Sequence, residues 1–259
     1  MTTRMNELLS LPGKVAIVTG GAAGQGRVAA DLFAQQGATV VIADIDAKAG
    51  AEVADQIGGT FVATDMADEA QIAAMVAHTV EAHGGIDILF NNAGVGFSAS
   101  PRFKMAPITD TPLQAWDAIL DINLRGPAMA CKHAIPHMVE RGGGAIINNA
   151  SINAIAGVNG ADAYTAAKGG IVSLTRVLAL DWGAKGIRTN CICPGPVATA
   201  MINDLLDDPD FNSAMTTSIP MERVGTAEEI ASVAVFLATP AAAYINGAIL
   251  PVDGGWSAK

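Results

Sequence analysis

The sequence predicts an α/β fold, a doubly wound parallel sheet with helices on both faces. Three observations predict it. Short apolar runs rich in Val and Ile alternate from end to end with longer Ala-rich stretches of helical period. The runs are continuously apolar rather than alternating, as expected of strands covered on both faces. Finally, 51% hydrophobic residues against 15% charged over 259 positions supply a large core and exclude a disordered chain.

Taken in order, the strands are expected at 14–19 (KVAIVT), 39–43 (TVVIA), 60–64 (TFVAT), 86–91 (IDILFN), 145–149 (AIINN), 187–192 (IRTNCI) and 248–252 (AILPV). All seven read as buried. Helices are expected near 25–36, 47–57, 68–83, 112–139, 161–183 and 226–238. No Pro/Gly/Ser-rich linker and no repeat of 20–50 residues divides the chain, so 1–259 reads as one domain. Two stretches break the alternation, 95–111 and 194–223. Both follow carboxyl ends of strands, where open α/β sheets bind ligands. The uncharged run 230–252 has the length of a membrane span, but Pro240, Asn246 and Gly247 break it. A helix followed by a strand explains it better, and no membrane partner is expected.

Charge and cysteine content narrow the function classes. Fifteen Lys and Arg against twenty-five Asp and Glu give a net charge of -10, which argues against nucleic acid. Three cysteines make no disulfide framework, and residues 1–13 lack the apolar core of a signal peptide. A soluble protein of a reducing, cytoplasmic compartment is expected.

The first strand runs into 19–26 (TGGAAGQG) and then a helix. Gly20, Gly24 and Gly26 let the backbone approach a pyrophosphate, and the helix N–H groups meet its charge; a merely structural turn is the alternative. Asp44 closes the second strand, with Ile45 beside it. A carboxylate there accepts hydrogen bonds from ribose hydroxyls and repels a 2′-phosphate, which favours NAD over NADP. Its other reading is a helix N-cap, a place Asp46 suits better. Tyr164 and Lys168 stand four apart at the start of a helical stretch, hence on one face, with Ser151 just past the fifth strand. An ammonium beside a phenol is expected to draw its pKa from about 10 toward neutrality, suiting a general base.

Together these residues resemble the short-chain dehydrogenase/reductase family over essentially the whole chain. The matching pieces are 19–26, Asp44, Asp65, 91–94 (NNAG), Asn123 in NLRG, Ser151, Tyr164 with Lys168, 194–199 (PGPVAT) and 252–256 (VDGGW). The resemblance implies a Rossmann-type sheet and hydride transfer between NAD and an alcohol or ketone. It makes Tyr164 the acid/base, and Lys168 its modulator and a holder of the nicotinamide ribose. Ser151 would bond the substrate oxygen, and Asn123 would support a proton relay. It places Asp65 and Met66 at the adenine, and Asn92 and Gly94 on the adenosine side. Pro194, Val197 and Thr199 fall at the nicotinamide, and Asn153, Gly195 and Met201 at the substrate. It also implies a homotetramer and a substrate lid near 199–220. Gln25 departs from the family's usual apolar residue, so the phosphate turn is packed differently there or Gln25 contacts the pyrophosphate directly.

Other signals have plainer readings. His133 and His137 are four apart, but no Glu completes a zinc motif and Pro136 interrupts the stretch, so no metal is expected. Asp204, Asp207, Asp208 and Asp210 read as a solvated face rather than a cation loop. The apolar residues Met201, Ile202, Leu205, Leu206, Phe211 and Met215 fit a lid, or else an ordinary amphipathic helix. The uncharged pocket positions (Val95, Gly96, Phe97, Ile152, Asn153, Val158, Pro194, Gly195, Met201 and Ile202) point to a bulky apolar secondary alcohol, alicyclic, terpenoid or steroid. Two rivals are an NADPH-dependent 3-oxoacyl thioester reductase and a dinucleotide-binding sensor without turnover.

Overall fold

The computed structural model describes residues 3–96, 100–199, 202 and 207–258. Its centre is a seven-stranded parallel sheet: β1 (Val15–Thr19), β2 (Thr39–Asp44), β3 (Thr60–Ala63), β4 (Ile88–Asn91), β5 (Gly144–Asn149), β6 (Ile187–Pro194) and β7 (Ile249–Val252). The spatial order is β3-β2-β1-β4-β5-β6-β7, so the winding reverses beside β1. A crevice opens at such a reversal, outside the carboxyl ends of the strands.

The continuous apolar runs are explained by two cores, one on each face. Ala16, Val18, Val40, Ile42, Ile88 and Phe90 face the first, under α2 (Gly24–Gln35) and α9 (Ala227–Ala238). Ile17, Val41 and Leu89 face the second, under α4 (Glu69–His83) and α6 (Gly126–Glu140). α3 (Ala47–Ile57) and α7 (Asp162–Trp182) complete the layers, and α1 (Thr3–Leu9) precedes the sheet. α1 has no counterpart among the helices expected from sequence.

Three expectations need correction. β3 and β7 are not fully buried, because each is an edge strand with one neighbour and a partly open face. The stretch 112–139 is two α-helices, α5 (Leu113–Leu120) and α6, joined through a π-helical turn at Asp121–Arg125. Pro136 does not break α6, which runs on to Glu140. It falls in the last turns, where its missing N–H leaves only one carbonyl unbonded. A further helix, α8 (Pro209–Thr217), follows β6.

Candidate active site

The turn after β1 is shaped by what stands against it. Gly20 has φ +66, and a Cβ on it would lie 2.8 Å from Ala93 Cα. A Cβ on Gly26 would collide with Gly20 O and the Asn92 amide. Asn92 clamps the turn from the end of β4, its Nδ2 donating to Thr19 O at 3.0 Å and Gly20 O at 3.1 Å. α2 then starts with Ala23 as its N-cap and no side chain bonding its first N–H groups. Those donors stay open toward the crevice.

Asp44 ends β2 beside this turn. Its Oδ2 accepts the Ala22 N–H at 2.9 Å and its Oδ1 the Asp46 N–H at 3.0 Å. Asp46, not Asp44, caps α3, accepting from Lys48 N and Ala49 N. A glycine cradle, an uncapped helix start and a carboxylate at the next strand end fit a dinucleotide: pyrophosphate on the turn, ribose at Asp44. Asp65 and Met66 follow β3 on the same rim, with the Asp65 carboxylate held by Ala67 N at 2.8 Å.

The other end is built by β5 and α7. One helical turn separates Tyr164 from Lys168, so both face the strand ends; both are buried, and the ammonium sits 5.7 Å from the phenol ring centroid. Lys168 Nζ donates to Asn149 O at 2.7 Å. Ser151, in extended backbone past β5, hydrogen-bonds Tyr164 and accepts the Asn153 N–H at 3.2 Å.

The electrostatics correct the sequence expectation. Burial pushes the Tyr164 phenol up to about 12, against the lowering effect of its bond with Ser151. Burial likewise brings Lys168 down to about 8. Attraction between the pair was expected to dominate. Desolvation of the charged form is instead the largest cause of both shifts, because both side chains are buried.

A cavity of about 910 Å³ joins the two ends. Gly20, Gly24, Gln25, Asp44, Ile45, Asp65, Met66, Asn92 and Gly94 line its first part. Ser151, Asn153, Tyr164, Lys168, Pro194, Gly195, Val197 and Thr199 line the rest. Gly26 packs behind the turn. Asn123 is fully buried on the π-helical turn and does not line the cavity. Its amide instead bonds Val95 N at 3.1 Å, Val95 O at 2.9 Å and Ile119 O at 3.0 Å, pinning the chain after β4. Phe97, Met201, Asp204, Leu205 and Leu206 lie outside the described residues, as does the Phe211 side chain. Ile202, Ala214, Met215 and Ser218 line the cavity from the expected lid segment.

Sequence reasoning missed several members. Asn149 is one, its Nδ2 donating to Gln25 Oε1 at 2.8 Å and to Asn92 Oδ1 at 3.0 Å. The polar pair NN at the end of an otherwise apolar strand was the available signal. Arg102, Phe103 and Trp256 also line the cavity, and Trp256 Nε1 donates to Ser218 Oγ at 3.1 Å. His133 and His137 lie on α6 beside Glu69 and Glu140, at 3.1 and 3.5 Å, and no cluster of three metal-ligating side chains occurs among the described residues. Among those residues, too, no helix is long and apolar enough to cross a membrane.

Comparison with known proteins agrees with this architecture. The family model described as enoyl-(acyl carrier protein) reductase matches residues 20–257. D-threitol dehydrogenase of Mycolicibacterium smegmatis is 41% identical over 254 residues, 96% of this chain and 95% of that protein. Cis-4-hydroxycyclohexanecarboxylate dehydrogenase of Sinomonas cyclohexanicum is 38% identical over 254 residues, 95% of this chain and 97% of its own length. Among solved structures, one from Beutenbergia cavernae, named as an NAD(P)-dependent gluconate 5-dehydrogenase with bound NADP, superposes with a TM-score of 0.88. It is 35% identical and covers 97% of this chain and 100% of that one.

Proposed function

This chain belongs to the short-chain dehydrogenase/reductase family, and we propose that it transfers a hydride between NAD and a bulky, mainly apolar secondary alcohol or its ketone. The observation that carries the reading is one cavity with Asp44 and the glycine turn at one end and Ser151, Tyr164 and Lys168 at the other.

When bound, the dinucleotide supplies the hydride acceptor for oxidation and the donor for reduction. The chain's own residues handle the oxygen and its proton. Ser151 donates to the substrate oxygen. In oxidation Tyr164 takes the hydroxyl proton as the C–H bond breaks and the carbonyl forms; in reduction it returns a proton to the oxygen. With its pKa near 12, Tyr164 holds its proton through neutral pH and rests as the acid of the reductive direction. Lys168, held by Asn149 O, places positive charge beneath the phenolate that oxidation requires. Asn123 acts as a positioning residue through Val95.

Asp44 supports NAD, because a carboxylate at the end of β2 would repel a 2′-phosphate and no Lys or Arg in 20–26 or 45–46 offsets it. The bound NADP belongs to the Beutenbergia structure. Support for an alicyclic substrate comes from the apolar wall of Val95, Ile152, Val158, Ile202 and Met215, and from the cyclohexane substrate in the Sinomonas relative's name. The Mycolicibacterium relative is named for a polyol, so sugar alcohols belong beside alicyclic ones in any test. We assign 1–259 to one domain, with a substrate lid near 199–220 that excludes water. The homotetrameric state and a cytoplasmic setting belong to the same proposal, the latter supported by three buried, free cysteines.

The test is steady-state reduction of NAD⁺ and NADP⁺ with alicyclic, terpenoid, steroid and sugar alcohols. Turnover of an alicyclic or terpenoid alcohol with NAD⁺ is expected. Preference for NADPH with a 3-oxoacyl thioester would replace the reading with a 3-oxoacyl thioester reductase. Tight NAD binding with no turnover would replace it with a sensor.

A further inference from the structure

Charge around the cavity is sorted by sign. Among the described lining residues, the acids are Asp44 and Asp65, both at the end assigned to adenosine, and the cations are Lys168 and Arg102. Lys168 is buried and committed to Asn149 O. Arg102 is different. It lies on a short 3-10 turn, Pro101–Phe103, with its guanidinium carbon 5.2 Å from the Phe103 ring centroid. Phe103 in turn packs against the apolar cluster that contains Tyr164. One aromatic ring therefore holds Arg102 next to the catalytic end of the cavity. None of the ion pairs among the described residues includes Arg102.

A guanidinium offers a rigid fork of donors that matches a carboxylate, and stacking on a ring holds that fork in place before a ligand arrives. The same lining contains Asn153, buried two residues from Ser151, whose Nδ2 has no hydrogen-bond partner. Arg102 is exposed at the cavity rim and Asn153 is buried within it, and both offer donors beside an apolar wall formed by Ile152, Val158 and Met215.

We propose that Arg102 is a specificity-determining residue that recognises a carboxylate on the substrate, remote from the carbinol carbon. The preferred substrates are then hydroxy acids with an apolar body rather than neutral alcohols. This rests on the dehydrogenase reading of the site and narrows its substrate class.

The experiment compares an acid with its neutral isostere. Cyclohexanecarboxylate and cyclohexanecarboxamide are titrated calorimetrically into the protein with NADH present, for the parent, Arg102→Gln and Arg102→Lys. In parallel, kcat/KM is measured for 4-hydroxycyclohexanecarboxylate and its primary amide. The parent is expected to favour the acid by about tenfold or more in both measurements. Arg102→Gln should remove the preference and Arg102→Lys retain part of it. In the parent the preference should shrink as salt rises, a readout that needs no variant. Equal binding of acid and amide, no binding of the acid at millimolar concentration, or a preference that survives in Arg102→Gln would overturn the inference. Turnover of both substrates without discrimination would defeat the inference alone. Absence of turnover on any alcohol, with the acid preference in binding intact, would instead defeat the dehydrogenase reading.

Discussion

Lys168 is held in a place that costs the fold stability. Burial lowers its pKa from 10.5 to about 8, so at neutral pH the native state carries an ammonium that water would solvate better. The unfolded chain binds its proton more tightly, and stability therefore rises with pH between about 8 and 10.5. Lys168→Met should stabilise the protein near neutral pH, by up to about 3 kcal/mol less the lost bond to Asn149 O. That gain should fade toward pH 10.5, while activity is lost throughout. Urea unfolding at both pH values checks this, and a less stable variant near neutrality would refute it. The identity of Lys168 and Tyr164 was legible in their spacing and in Ser151 upstream. Their pKa directions were not, because spacing says nothing about how deeply a side chain is buried. Asn123 teaches the same lesson: its place in the sequence was recognisable, whereas the commitment of its amide to Val95 and Ile119 depends on a π-helical turn that no local pattern announced.

At the scale of elements, Asp87 ties the amino ends of two strands to the end of a helix. It precedes β4, accepts Val15 N at 3.0 Å, and is bridged by Lys14 at 3.0 Å and by Arg141, just past α6, at 2.9 Å. Burial opposes its charge, but the bonds from Arg141, Val15 and Lys14 outweigh that effect and hold the carboxyl below its ordinary range. A depressed carboxyl contributes stability above the ordinary range and loses it as pH falls through the folded value. Asp87→Ala should destabilise by about 1–3 kcal/mol near neutrality, since the buried Val15 N–H and the partly exposed Arg141 lose their acceptor. The variant should also lose part of the parent's acid sensitivity below about pH 4. Denaturation at neutral and acid pH checks both; an unchanged midpoint would show the clamp to be idle. This clamp lies at the end of the sheet opposite the cavity, so its loss should leave dinucleotide affinity intact. Strand positions were readable from the apolar runs, yet edge and centre were not: TFVAT and AILPV resemble the inner strands in composition, and only the strand order exposes them.

For the whole molecule, the strand order gathers residues from distant parts of the sequence along one edge of the sheet. Thr19, Asp44, Asn91 and Asn149 end four strands, and each leads into part of the cavity wall. The sequence motifs were legible because each sits at such an end; Arg102 was missed because it belongs to an irregular stretch placed by packing against α5 and by Phe103 on the apolar cluster around Tyr164. The proposed tetramer belongs to this scale. Leu180 and Val177 on α7 are 81% and 49% exposed, and Tyr244 and Leu113 stand open as well. Apolar side chains exposed in this way fit burial between copies of the chain. Sedimentation should give a tetramer, and Leu180→Glu should shift it toward smaller species; a monomeric parent would refute the assignment.

In the proposed reaction Tyr164 moves the substrate's proton within a dinucleotide-dependent site. The most direct measurement sets Tyr164→Phe beside the parent, recording NADH affinity by fluorescence and turnover of the best alcohol over a range of pH. Dinucleotide affinity is expected within about twofold of the parent, and turnover lower by about 10²–10⁴. In the parent, oxidation should accelerate as pH rises, following ionisation of a phenol whose resting pKa is near 12. Turnover that survives in Tyr164→Phe, with the same pH dependence, would contradict it.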